Sequence, residues 1–99
     1  MEPSTINTVL FDLIKNHQWH EFIKLINEKE DVDVNIRDNA NNYLIQYAIW
    51  FNRKDIVSIL INRGAKLDIT DTDGRSILYI PIKLGYNDIL QLLLYFNNI

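Results

Sequence analysis

The sequence predicts an all-α solenoid of about three helix–turn–helix units with hairpin-like turns between them. Three observations carry this. The chain is similar to itself when slid by 33 residues, so that 38–65 falls on 71–98. Apolar residues in the second half of each unit recur at helical spacing. Clusters of Asp, Asn and Gly stand between the apolar stretches and carry turn chemistry. One small domain of 99 residues results, with units at about 6–37, 38–70 and 71–99, the last of them incomplete.

In the first unit the second helix is carried by Phe22, Ile23 and Ile26. It sits one residue out of register with the later units, an offset that the acidic loop 28–31 absorbs. In the middle unit Ile45 begins the match with Leu78 of the last. Ile56, Val57, Leu60 and Ile61 then share one helical face, and Ile89, Leu90, Leu93 and Leu94 repeat them. Each unit therefore reads as turn, short helix, loop and longer helix. Pro81 stands inside the short helix of the last unit. There it removes a backbone donor and clashes one turn back, so this helix is expected to kink or to start late.

The aspartate-rich stretch DTDG at 71–74 invites a calcium reading. A loop of the EF-hand type starting at Asp71 needs a bidentate glutamate at its twelfth position, and that position is Ile82. The stretch is a turn instead. Aspartate accepts bonds from nearby backbone N–H groups, and Gly74 supplies a positive φ. Asp38-Asn39-Ala40-Asn41 fills the same place one unit earlier, with Asn41 as the next-best residue for that conformation.

With 47% apolar residues the chain can bury a core. Its charge of -3 comes from acidic and basic residues spread along the chain, without the basic stripe that nucleic acid or an anionic membrane calls for. It has no cysteine, which suits a reducing compartment. The longest apolar runs fall far below the roughly 18–20 residues of a membrane span, and no secretory signal opens the sequence. The expected setting is intracellular, in the cytoplasm.

Chemistry is scarce. His17-Gln18-Trp19-His20-Glu21 places two histidines beside a carboxylate, but not in the H-E-x-x-H order of a zinc helix. The repeat puts this stretch in a loop between helices. Glu21 matches Asp55 and Asp88 at the helix starts, where a negative charge stabilises free N–H groups, and Trp19 matches Tyr86 as a packing aromatic. No phosphate loop, nucleophile elbow or dinucleotide fingerprint occurs. The chain is not expected to be an enzyme, and no catalytic residue, cofactor or metal is assigned.

Asp71, Gly74, Ser76, Leu78 and Gly85 in the last unit, with Ile56, Val57, Leu60, Ile61, Gly64 and Ala65 in the middle one, resemble the ankyrin repeat. The stretch VDVNIRD at 32–38 is similar to the close of that repeat, and the likeness runs from about residue 6 to the end. Gln46 and Tyr79 replace the family's histidine, so its usual bond to the turn is not carried over.

The resemblance implies a protein-recognition scaffold. Partners of ankyrin-like stacks dock on a concave face made of turn tips and the ends of first helices. Transferred by position, the first unit contributes Asn16 and His17. The middle one contributes Arg37, Asn39, Ala40, Asn42, Trp50 and Phe51. The last contributes Thr70, Thr72, Asp73, Arg75, Lys83 and Leu84. Trp50 and Phe51, if exposed, mark the centre of a protein interface, because aromatics dominate interface energetics. If one turns inward, it fills space beside Ala48. Arg37, Arg75 and Lys83, set against Asp73, then form a polar rim.

Two readings of the whole follow: a module that binds a protein partner, or an N-terminal capping segment of a longer array with no partner of its own. The end bears on the choice. Tyr95 and Phe96 stand where the middle unit has Asn62 and Arg63. A terminal repeat normally turns a polar face outward, so further repeats or self-association through these rings are expected, unless both rings fold back onto the core.

Overall fold

The computed structural model describes residues 3–97. Asn98 and Ile99, the last residues of the expected third unit, lie outside the described residues. The order is α1 (Pro3–Lys15), α2 (Trp19–Glu28), α3 (Leu44–Trp50), α4 (Lys54–Asn62), α5 (Tyr79–Leu84) and α6 (Asn87–Asn97). The fold is all-α, as the repeat predicts. Outside the helices, a single isolated antiparallel bridge joins Thr70 to Ser76 among the described residues.

The helices form antiparallel pairs that stack. Within pairs, α1 lies on α2, α3 on α4 and α5 on α6. Between pairs, α3 rests on α1, α5 on α3 and α6 on α4. One core runs through the stack, with Leu10, Ile14, Phe22, Ile26, Leu44, Ile56, Leu60, Ile89 and Leu93 all fully buried. The second-helix residues that the periodicity selects, Ile56 and Leu60, then Ile89 and Leu93, supply its centre.

Each first helix ends in the same way. His17, Asn52 and Gly85 take positive φ, at 59°, 56° and 73°. The N–H groups of Gln18, Arg53 and Tyr86 then turn back to the carbonyls of Leu13, Ala48 and Pro81. This is the left-handed cap that satisfies the last carbonyls of a helix. Only Gly85 adopts it free of Cβ strain, while asparagine and histidine tolerate it better than most residues do.

Pro81 delays its helix. α5 begins at Tyr79, two positions later than the match to Leu44 would place it. Pro81 thus falls in the first helical turn, where N–H groups have no intrahelical acceptor. The ring is buried, and most of the penalty of a mid-helix proline is avoided.

The loop reading of 17–21 needs correction. Trp19, His20 and Glu21 form the first turn of α2, and only His17 and Gln18 belong to the connection with Asn16. Five positions separate His17 from the buried Phe22, against four between Asn52 and Ile56. The extra residue is taken into the helix, so Glu21 sits one place further along its helix than Asp55 does.

Candidate functional site

The turn tips frame the face on which the sequence places a partner. In the middle unit Asp38 Oδ1 accepts from the backbone N–H groups of Ala40 and Asn42, each at 3.0 Å. The N–H of Asn41 reaches the Asp38 carbonyl at 2.9 Å, with Asn41 at φ 69°. In the last unit Asp71 Oδ1 accepts from Asp73 and Arg75, each at 2.9 Å, and Gly74 takes φ 79°. The two turns are the same device, as expected from their sequences.

Asp38 also joins the first two units. Its Oδ2 accepts from the Tyr47 hydroxyl at 2.5 Å and from Lys15 Nζ of α1 at 3.0 Å. Its side chain is only 7% exposed. Burial pushes the Asp38 carboxyl up, but the bonds from Tyr47, Asn42 and Lys15 outweigh this and hold it below its ordinary value. Lys15 is raised by its bond to Asp38. Burial and the Asp38 carboxylate raise Tyr47. Asn42, expected at the partner surface, is half-buried and donates to the Tyr47 hydroxyl at 3.3 Å. It belongs to this framework.

Trp50 and Phe51 are half-buried, so the condition of full exposure is not met. Phe51 packs edge-on to His17 with ring centroids 4.3 Å apart, and lies 5.7 Å from Trp19. His17 in turn stacks on Trp19 at 4.9 Å. Trp50 meets Tyr47 edge-on at 5.1 Å. Its other side borders a cleft of 30 Å³ lined with Gln46, Ile49, Ile80 and Arg75. That is far smaller than the roughly 300–1,000 Å³ of a small-molecule site. Contacts with neighbouring rings account for part of the burial of both side chains.

The rest of the predicted surface is open. Arg37, Asn39, Thr72, Asp73, Arg75, Lys83 and Leu84 are exposed, Leu84 by 52%. Arg37 lies 5.6 Å over the Tyr43 ring. Arg75 pairs with Asp71 at 3.1 Å and Asp73 at 2.5 Å, and lies 4.4 Å over Tyr79. Lys83 approaches the same ring at 5.6 Å. Bonds from Arg75 and Lys83 hold the Tyr79 hydroxyl below its ordinary pKa. Tyr79, at the family's histidine position, thus gathers two cations. Gln46, at the matching place one unit earlier, accepts from the Tyr43 N–H at 2.7 Å and caps α3.

Three framework residues escaped the sequence reading. Arg63 donates to the carbonyls of Ile26, at 2.5 Å, and Lys29, closing the end of α2 from the next unit. Asn35 bridges the loops, donating to the Gly64 carbonyl at 2.9 Å and accepting from the Lys66 N–H at 2.8 Å. Lys15, the third, reaches Asp38 across the first junction. Only Asn35 within VDVN hinted at such a role.

Among the described residues no group of three or more His, Cys, Asp or Glu could hold a metal ion. No described helix is long and apolar enough to cross a membrane.

A stack of antiparallel helix pairs, with aspartate-held turns projecting from each junction, defines an α-solenoid of the repeat-scaffold class. A model of ankyrin repeats, in three copies, matches residues 10–99, and the chain belongs to the ankyrin repeat family. An ankyrin repeat protein of Acanthamoeba polyphaga mimivirus is 45% identical over 87 residues, which is 86% of this chain and 11% of that relative. The chain therefore spans about a tenth of the length of the curated relative it matches. Ankyrin repeats are in general protein–protein interaction modules and are typically not enzymes.

Proposed function

We propose that the chain is a protein-recognition module that binds its partner on the face formed by the turn tips and the ends of α3 and α5. The observation that supports this most is rigid presentation. Arg75, which borders a cleft with the half-buried Trp50, and Lys83 and Leu84 of α5 stand exposed on a frame whose turns are held by Asp38 and Asp71. A surface ordered in advance loses little entropy on binding. Thr72, Asp73, Arg37 and Asn39 form its polar rim, and charges there tune register and on-rate more than affinity.

Because Trp50 and Phe51 also pack the framework, the test uses exposed positions. Chemical cross-linking and capture from the producing cells would compare wild-type bait with an Arg75→Glu/Lys83→Glu/Leu84→Ser bait of matched circular dichroism. A protein held by the first and lost from the second supports the face. Equal recovery by both rejects it.

A second reading, a structural cap of an ankyrin array without a partner of its own, draws support from the half-burial of Trp50 and Phe51. Asp12 supports it too. Exposed and charged, it stands on α1 where Tyr47 and Ile80 pack on a preceding unit.

A further inference from the structure

Two clefts adjoin at Ile69 and Thr70, between the middle and last units. One is the 30 Å³ cleft beside Trp50. The other is open, about 400 Å³ in volume, and lined with Arg37, Tyr43, Lys66 and Asp68. Only the wide cleft has room for side chains of a partner.

The chain as a whole carries a charge of -3, yet the wide cleft sets two cations, Arg37 and Lys66, against one carboxylate, Asp68. The carboxylates of the neighbouring turns are already engaged. Asp38 receives two N–H groups, Tyr47 and Lys15. Asp71 and Asp73 both receive Arg75. The cations of the wide cleft are not engaged in this way. Among the described residues neither Arg37 nor Lys66 forms an ion pair, even with Asp68. The Arg37 guanidinium rests over the Tyr43 ring, and the donors along its edge have no acceptor among the described residues. Lys66 spends its backbone N–H on Asn35, which fixes the point from which its exposed side chain starts.

A guanidinium with one face on an aromatic ring and its edge free is suited to a carboxylate, which it holds through two parallel N–H bonds. Asp68 offsets one of the two positive charges, so the cleft stays positive and complements negative charge. We propose that this cleft receives an acidic segment of a protein partner, with one carboxylate at Arg37 and a second near Lys66. The assignment rests on the tip-face reading and names the chemistry of the partner bound there. Nucleic acid is the poorer occupant, because affinity for it is built from many neutralised phosphates and the cleft offers two cations.

The test selects binders from a phage-displayed library of random dodecapeptides on the immobilised chain, then follows a selected peptide by surface plasmon resonance. The selected sequences are expected to be rich in Asp and Glu. Arg37→Glu/Lys66→Glu is expected to slow their association roughly tenfold at low salt, by a margin that shrinks as salt rises. Both positions are exposed, so the variant is expected to keep its circular dichroism. Selection of neutral or basic sequences, failure to select any, or acidic peptides indifferent to Arg37→Glu/Lys66→Glu would overturn the proposal. Equal binding of oligouridylate would assign the cleft to phosphate and overturn it too. Peptides lost with Arg75→Glu/Lys83→Glu/Leu84→Ser, but kept with Arg37→Glu/Lys66→Glu, would overturn this assignment alone and leave the tip face standing.

Discussion

The Tyr47 hydroxyl donates to Asp38 Oδ2 at 2.5 Å, and the same oxygen receives Lys15 from the neighbouring unit at 3.0 Å. One carboxylate therefore shapes a turn and joins two repeats. Asp38→Asn and Tyr47→Phe are each expected to cost about 1–3 kcal/mol, the usual loss when a buried polar group is left unsatisfied. Their costs should not add in a double-mutant cycle, since both remove one network. Urea unfolding measures all three.

The same carboxylate sets an acid limb. Its folded pKa lies below the unfolded one, so its stabilisation is complete above the ordinary carboxylate range and is lost as pH falls through the folded value. Thermal midpoints recorded from pH 6 downward should fall less steeply for Asp38→Asn than for the wild type.

Arg63 closes α2 from a distance. Arg63→Met keeps the aliphatic stem but leaves the Ile26 and Lys29 carbonyls without their donor. A loss of about 1–3 kcal/mol is expected, together with faster amide exchange at the end of α2. Lysine should restore little, because one ammonium cannot reproduce a fork that spans two acceptors.

Pro81 lies in the first turn of α5, where its missing N–H has no intrahelical partner to lose. Pro81→Ala is therefore expected to change stability by less than about 1 kcal/mol, rather than recover the roughly 3 kcal/mol charged to a proline in a helix interior. A large gain in unfolding free energy would show that the helix had been broken rather than delayed.

Phe51→Ala should destabilise by about 1–3 kcal/mol, less than the roughly 3–5 of a fully buried phenylalanine, because the ring is half-buried among His17, Trp19 and Tyr47. Leu84→Ser, at an exposed position, should stay within about 0.5 kcal/mol. Calorimetry on both separates a framework residue from a surface one.

The helix pairs and both aspartate turns were legible because they follow from local chemistry repeated at a fixed period. Asp38 and Asp71 bind N–H groups at most four residues away, and such contacts are written in the adjacent sequence. Arg63 and Asn35 were not legible, since their partners lie 29 to 37 residues off and depend on how units dock. The degree of burial of Trp50 and Phe51, which the sequence leaves open, depends on neighbours in the same way. Their positions face outward in the repeat, but Tyr47 and His17 offer rings to pack against. On the tip face, the exposure of Leu84 and of the polar residues other than Asn42 was foreseeable by position.

Asp38 and Asp71 hold their turns almost wholly through main-chain N–H groups. The side chains between them, Asn39 and Ala40 in one turn and Thr72 in the other, carry no part of that support in the contacts described. Lettering on such tips can be rewritten while the spine keeps its form. A lineage could thus exchange one recognised surface for another by point changes at the tips, without first having to regain a folded protein.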